Sequence, residues 1–493
     1  MSESDNSMAE SEQVSLRLLV NKETDKVIFA EAGKDFVDIL FSFLTMPLGT
    51  IARLVDKISD LGPIRFGCLS SLLECVEKLD PGCVGTETCK QMLMRPTNFA
   101  EDYCRDLKIN IDEDMEPLRY FLCTKLPYCS HYMLSNFENQ RCKCGNPMDR
   151  AIAARRNALN GFVNVGSTFI ITDDLVVIPN TMDTDLGFLQ KCGVENLSSV
   201  RTMTVNVTRT KVLDMLECSL LSKSALTDLF LSKNLLDDTE KLSFSPVVVE
   251  NSSNVQIKVK LVMRKSDGKI LFAEGEEDFA DFLLSFLTLP LGGVVRRLGG
   301  CSSLGCIDAL YKSVVDLDEK YYISKEEKNM LVGPRITAMF QSSISKQMLP
   351  ICEQTAQFDC HVKDDIYKDM NFVDPKSSTG SHKGFAKGPA IFMATDDLFV
   401  TPMSPILGLS LLNQLNLSLN DLKEKVVVIG IKEGLNILKA SLTSMSALTK
   451  GLSHLLTEVM EEKCNIITRS KKQTTEGGID SNESHLKKKR KSS

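Results

Sequence analysis

The stretch F-A-E-A-G-K-D-F-V-D-I-L-F-S-F-L-T-M-P-L-G spans Phe29–Gly49, and F-A-E-G-E-E-D-F-A-D-F-L-L-S-F-L-T-L-P-L-G spans Phe272–Gly292. Two near-copies in one chain point to a duplicated structural unit, and a repeat missed at this stage misreads the whole fold. Within the first copy Phe36, Ile39, Leu40, Phe43 and Leu44 recur at helical spacing and form one continuous apolar face. Val37 and Phe41 widen that face, so burial on most sides is expected. Asp35 stands where a first-turn carboxylate favours a helix N-terminus. Pro47 ends the helix, because the residue before a proline is pushed out of the α region. Gly49 opens a second helix carrying Arg53. The second copy repeats each feature in Asp278, Phe279, Phe282, Leu283, Phe286, Pro290, Gly292 and Arg296.

Three further blocks pair up in the same order. Val14–Val20 and Val255–Met263 alternate with period two, and each leads through a polar turn to a short apolar run, Val27–Ala30 and Ile270–Ala273. Each pair predicts a β-hairpin. Gly67–Asp80 and Gly305–Asp318 have helical spacing, and a further helix in each half stops at Pro96 or Pro334. Phe169–Pro179 and Ile391–Pro402 read as two short strands around a turn. A helix, an alternating strand (Thr202–Thr208; Val426–Ile431) and two short helices follow, the last carrying Ser219–Thr227 and Ser441–Thr449. The fold class is α+β: two tandem homologous repeats, each with a β-hairpin, a helical segment and further short strands and helices. The expected divisions are a disordered N-terminus (1–13), repeat one (14–231) with a cysteine-rich insert near 120–150, a linker (232–254), repeat two (255–462) and a disordered basic tail (463–493).

The paired blocks, with Phe372-Val-Asp-Pro-Lys376, Lys387-Gly-Pro-Ala390 and Thr395-Asp-Asp-Leu398, resemble the plant family catalogued as domain of unknown function 674. The resemblance covers nearly the whole chain except its two tails. It implies membership and no activity.

A chain of 493 residues with 43% apolar content can bury a sizeable core. It contains no apolar run of the roughly 18 residues a membrane span needs, so no membrane partner is expected. The acidic start M-S-E-S-D-N-S-M lacks the basic and apolar regions of a secretory signal, so a cytoplasmic or nuclear location is expected. There the sixteen cysteines would be reduced. From Lys463 onward nine Lys/Arg face three Asp/Glu, a net +6; against the overall −7, the remaining chain carries −13. So acidic a body argues against a phosphate-binding surface.

The strongest chemical signal is Cys123, Cys129, Cys142 and Cys144, in C-T-K-L-P-Y-C-S-H-Y and R-C-K-C-G. Two thiol pairs with Gly145 beside the second suggest a small zinc ribbon, since zinc takes four soft ligands at tetrahedral corners. The spacing departs from the standard one, His131 could replace one thiol, and the competing reading is scattered reduced cysteines in a loop. The second half has no equivalent of Cys142-Lys-Cys144, so the metal would brace a local insert of the first half. Asp173-Asp174 and Asp396-Asp397 could hold a metal or share a proton, but each pair lies between short strands, where a tight turn favours Asp. Gly292–Gly300 lacks the Gly-Lys-Ser/Thr of a phosphate loop, and Arg53 and Arg296 are read as capping or solvating their helices. The Ser/Thr-rich Ser219–Thr227 and Ser441–Thr449 read as helix caps and starts. The histidines 131, 361, 382, 454 and 485 occupy no matching positions. No catalytic or cofactor-binding residue is assigned.

The function expected is a non-catalytic interaction or regulatory protein acting through protein partners. One alternative is a nuclear protein that contacts nucleic acid through the zinc ribbon and the basic run His485–Ser493. The other is a metal-dependent enzyme using the repeated aspartate pairs.

Overall fold

The structure is a computed structural model. It describes residues 13–456 except 59–64, 106, 113–118, 139, 154–160, 182–188, 191–193, 195, 232–244, 248–254, 337, 352–357, 363–364 and 377–383. The basic tail 463–493, nearly all of 1–13, most of the expected linker, Cys352, His382 and His485 lie outside the described residues.

The first half begins with the hairpin β1 (Val14–Asn21) and β2 (Lys26–Gly33), followed by helices α1 (Lys34–Ser42), α2 (Leu48–Ile58), α3 (Gly67–Lys78), α4 (Glu87–Met94) and α5 (Glu101–Cys104). Strands β3 (Arg119–Cys123), β4 (Met133–Ser135), β5 (Gln140–Arg141) and β6 (Pro147–Ala153) carry the cysteine-rich insert. Then come β7 (Thr168–Thr172), β8 (Val177–Pro179), β9 (Val200–Val207), α6 (Arg209–Leu221) and α7 (Ala225–Phe230). The second half runs β10 (Ile257–Arg264), β11 (Ile270–Glu276), α8 (Glu277–Leu284), α9 (Leu291–Arg297), α10 (Ile307–Asp316), α11 (Lys325–Val332) and α12 (Ser343–Met348). It continues with β12 (Phe358–Val362), β13 (Asp365–Phe372), β14 (Ile391–Thr395), β15 (Val400–Pro402), α13 (Pro405–Gln414), β16 (Leu422–Ile429), α14 (Ile431–Thr443) and α15 (Ala447–Gly451). The fold is α+β. No helix among the described residues is long and apolar enough to cross a membrane.

Two five-stranded antiparallel sheets have matching orders, β8-β7-β2-β1-β9 and β15-β14-β11-β10-β16. The alternation legible in β1 becomes alternating buried and exposed side chains. Helices α1 and α8 are buried almost throughout, as their apolar run demands. Each passes into a tight helical turn, Phe43–Thr45 or Ser285–Thr288, before the proline. Helices α6 and α14 are thirteen residues each, longer than the short helices expected there.

The two repeated stretches meet at their Pro-Leu-Gly ends. Pro47 and Pro290 form an antiparallel bridge, in which the Leu48 N–H donates to the Leu289 carbonyl and the Leu291 N–H to the Met46 carbonyl, both at 2.9 Å. The glycines that follow are required by this approach. A Cβ on Gly49 would lie 2.9 Å from the Leu287 carbonyl oxygen, and one on Gly292 would lie 2.9 Å from that of Leu44.

From this junction the halves exchange helices. Helix α3 of the first half packs on α8, α14 and β15 of the second, while α10 of the second half packs on α1 and β8 of the first. The Cys68 thiol donates to the Ser444 carbonyl at 2.8 Å, and the Cys306 thiol to the Ser222 carbonyl at 3.1 Å. Loops cross in the same reciprocal way: the Gly85 N–H donates to the Phe385 carbonyl at 2.8 Å and the Ile323 N–H to the Phe162 carbonyl at 3.0 Å. One buried apolar cluster therefore runs through both halves.

A third, six-stranded sheet is also shared, in the order β12-β13-β4-β3-β6-β5. Its only parallel pairing among the described residues, β4 with β13, joins first-half to second-half chain.

Gly49→Ala and Gly292→Ala should each cost about 1–3 kcal/mol, because the added carbon must displace backbone and not a mobile side-chain end. Urea unfolding followed by circular dichroism should show that loss in one cooperative transition, with no separate melting of either half.

Candidate metal centre

Strand β3 ends at Cys123, and the chain turns so that Leu126 donates its N–H to the Cys123 carbonyl at 3.0 Å. Beyond β5 a second turn forms, in which the Gly145 N–H donates to the Cys142 carbonyl at 2.8 Å. Gly145 has φ +83°, which a side chain would strain. These turns bring the thiols of Cys123, Cys129, Cys142 and Cys144 within 4.8 Å of one another. The closest sulfur pairs, Cys123–Cys144 and Cys129–Cys142, stand 3.5 Å apart, far beyond a disulfide bond of about 2.05 Å. The four sulfurs could hold a metal ion.

Three of these cysteines belong to a small separate core with Phe121, Met133 and Met148, while Cys144 is exposed. Burial pushes the Cys142 thiol up to about 12 and also raises Cys123. The Asn146 side-chain amide, 3.3 Å from the Cys144 sulfur, and its backbone amide lower that thiol to about 6. His131 is exposed and stands outside the group, which is made of thiols alone. The insert is not local to the first half, as its sequence suggests. Its sheet continues into β13, and Val373 packs against the cysteine core. A metal bound here would brace a seam between the halves.

The aspartate pairs do occupy hairpin turns, β7–β8 and β14–β15, and the two carboxylates of each pair point to different partners. Asp173 accepts the Thr227 N–H at 2.8 Å and its hydroxyl at 2.7 Å, while the Thr227 hydroxyl oxygen accepts the Val27 N–H at 2.8 Å. Asp396, Thr449 and Ile270 repeat this arrangement at 2.8, 2.9 and 2.9 Å. Each triplet pins a terminal helix, α7 or α15, to its sheet. Asp174 and Asp397 instead accept the hydroxyls of Thr172 and Thr395, each at 2.5 Å. Asp397 also takes the Ser71 hydroxyl from the other half at 3.0 Å.

Arg53 is neither a cap nor a solvated charge. It is largely buried in an ion pair with Asp112, which returns from the loop after α5. Arg296, its counterpart in the repeated stretch, is exposed. Of the histidines, His454 meets Glu433 at 3.0 Å, and His361 lies on β12.

Two buried carboxylates within the repeated stretch itself escaped the sequence reading. Asp38 accepts the N–H groups of Phe162 and Val163 at 2.8 and 2.9 Å, and Asp281 accepts that of Ala386 at 2.7 Å. The chain wraps each one so closely that a Cβ on Gly161 or Gly384 would fall inside the carboxylate, at 1.9 and 1.6 Å from an oxygen. Their signal was an Asp at the same place in both copies, within the apolar run that follows each helix's first turn. Lys34 pairs with Asp38 at 2.5 Å, but Glu277 occupies the corresponding position beside Asp281. Burial raises both carboxyls, and Asp281 reaches about 7. Lys376, in the Phe-Val-Asp-Pro-Lys motif, is also buried, with its ammonium 3.0 Å from Asp374 and over the Phe385 ring. Burial lowers its pKa.

Residues 10–432 match the family model described as "Protein of unknown function (DUF674)". No curated protein and no solved structure matches the chain.

A carboxyl raised in the native state stabilises it fully below its unfolded pKa, and that contribution is lost as pH rises through the folded value. For Asp281 the window runs from the ordinary 3.8 to about 7. Asp281→Asn should therefore flatten the pH dependence of stability across that window, a change of up to about 4 kcal/mol at its upper end. Chemical denaturation at pH 4, 5.5 and 7.5 measures it.

Proposed function

The chain belongs to the family described as protein of unknown function DUF674, and we propose that it is a non-catalytic interaction protein built from two duplicated α+β units, acting through protein partners. The duplication reading is supported by the recurring sequence blocks, the matching strand orders and the reciprocal contacts at Pro47 and Pro290. On this reading the repeats are 14–231 and 255–462, fused across a common core.

The observation that carries the interaction reading is an apolar surface on the outer face of the second sheet. Helix α13 covers Val262, Phe272 and Met393 with Leu411 and Leu412. Its other side leaves Ile406 and Leu409 76% and 63% exposed, and nearby Leu419 is 72% exposed. By strand register Ile391, Val426 and Val428 share that outer face, and all three are exposed. Exposed apolar ground of this kind marks contact surfaces. Ile406→Asp with Leu409→Asp should leave the melting temperature unchanged and weaken a purified partner, once identified, by at least about tenfold. Partner binding indifferent to both changes would remove this surface from the function.

The metal is assigned as zinc. Its bonds to sulfur of about 2.3 Å set tetrahedral sulfurs about 3.8 Å apart, close to the spacing of these four thiols. It would act structurally, since four thiolates close its coordination shell. Atomic emission on the purified chain should give about one zinc per molecule, and Cys142→Ser should lose most of it and lower the melting temperature. A metal-free chain that melts like the wild type would end the assignment.

The cysteine group also favours a second reading, a nuclear protein that contacts nucleic acid through the zinc ribbon and basic tail. Salt-dependent DNA or RNA binding lost on deleting residues 471–493 would support it over the first.

A further inference from the structure

The four cysteines of the metal centre are not equally placed. Cys123, Cys129 and Cys142 are buried in their small core, and Cys144 is exposed on the turn that Gly145 completes. Cys301 is the other exposed cysteine among the described residues. An oxidant in solution therefore meets one sulfur of the group before the other three. That sulfur already has a partner. The Cys123 sulfur lies 3.5 Å away, and closing that gap to a disulfide bond of about 2.05 Å needs about 1.5 Å of side-chain movement. The Cys129 and Cys142 sulfurs, also 3.5 Å apart, are both buried.

The seam beside this group is narrow. Strand β4 meets β13 over two residue pairs, Met133 with Asn371 and Leu134 with Phe372. The Asn371 N–H donates to the Tyr132 carbonyl at 3.0 Å, and the Val373 N–H donates to the Leu134 carbonyl at 2.8 Å. Tyr132 follows Cys129 closely along the chain, and Val373 packs on the cysteine core itself. Two backbone hydrogen bonds between the halves thus hang from the segment that Cys129 anchors.

We propose that Cys144 is an oxidation site through which a peroxide opens this clasp between the halves. The Cys144 thiolate takes one oxygen from hydrogen peroxide, and with one proton gives a sulfenic acid and water. The Cys123 thiolate then attacks the Cys144 sulfur. The S–S bond forms, the S–O bond breaks, and the departing hydroxide takes a proton to become a second water. The two sulfurs together lose two electrons, and the peroxide gains them. The disulfide removes two of the four ligands, so the zinc assigned to this centre leaves, because two remaining thiols cannot close its shell. The metal step rests on that assignment; the thiol chemistry does not. Loss of the metal frees the segment after Cys129, and the β4–β13 bonds open while the two five-stranded sheets keep their common core. A thiol reductant restores both cysteines and lets the clasp close again.

The test uses the full, zinc-loaded chain and hydrogen peroxide. Oxidation should release about one zinc per molecule to a chromogenic chelator. Peptide mapping after alkylation of the remaining thiols should recover a Cys123–Cys144 disulfide, and dithiothreitol should reverse it. Cys144→Ser should slow zinc release at least about tenfold, because the exposed sulfur is gone, whereas Cys301→Ser should release zinc at the wild-type rate. Amide hydrogen exchange at Asn371 and Val373 should quicken after oxidation, and exchange in β1 and β10 should stay as it was. Should Cys144→Ser hold no zinc, the peptide map of the oxidised wild type still decides which sulfurs join first. A chain purified without zinc would end the metal assignment, yet a Cys123–Cys144 disulfide formed in it would still support the oxidation site. Zinc kept through oxidation, Cys123 left free beside an oxidised Cys144, a first disulfide at Cys129–Cys142, or unchanged exchange at Asn371 and Val373 would each overturn the proposal.

Discussion

Two backbone hydrogen bonds at Pro47 and Pro290 set the terms for the rest of the molecule. A proline cannot donate, so each segment offers the N–H of the following leucine and accepts at the carbonyl of the residue before the proline. The contact brings the backbones of the two halves so close that the next residue in each must lack a Cβ. With those segments locked, α2 and α9 leave in fixed directions, and α3 and α10 each reach the opposite sheet. The apolar face of the repeated stretch is then buried from both sides, which is why it carries hydrophobic residues almost all round.

Polar residues inside such a core need partners, and the molecule supplies them from its own backbone. Asp38 and Asp281 gather the amides of loops that would otherwise bury unmet donors. Asp173 and Asp396 hold the terminal helices through a threonine that in turn accepts from the sheet. In the second case a carboxylate that looks catalytic in a linear sequence is engaged by neighbours that fix strand and helix geometry. Burial raises both carboxyls; Lys34 opposes it at Asp38, and at Asp281 Asp278 adds to it while Lys376 opposes it.

Much of the local structure was legible in the residues. Alternation marked β1 and β10, helical spacing marked α1 and α8, and the turns at the aspartate pairs followed from residue preference. The cysteine group was legible too, because soft ligands on two turns are a local pattern. What was hidden depends on long-range pairing. Nothing in Gly67–Lys78 says that its apolar side faces the other half, since a helix stripe does not name its partner. The pairing of β4 with β13 joins short strands more than 200 residues apart, and no periodicity encodes that register. Arg53 looked solvated because Asp112, its partner, arrives from a distant loop.

The exchanged helices also impose a schedule on the ribosome. The first sheet has its strands once α7 ends at Phe230, yet α10, which packs on it, ends at Asp316. At about 5–20 residues per second, the nascent chain must leave the β8 edge of that sheet without α10 for several seconds. Helix α3 waits longer still, since α14 is among the last segments to emerge. Such a chain reaches its native state late in translation and offers apolar surface to chaperones on the way.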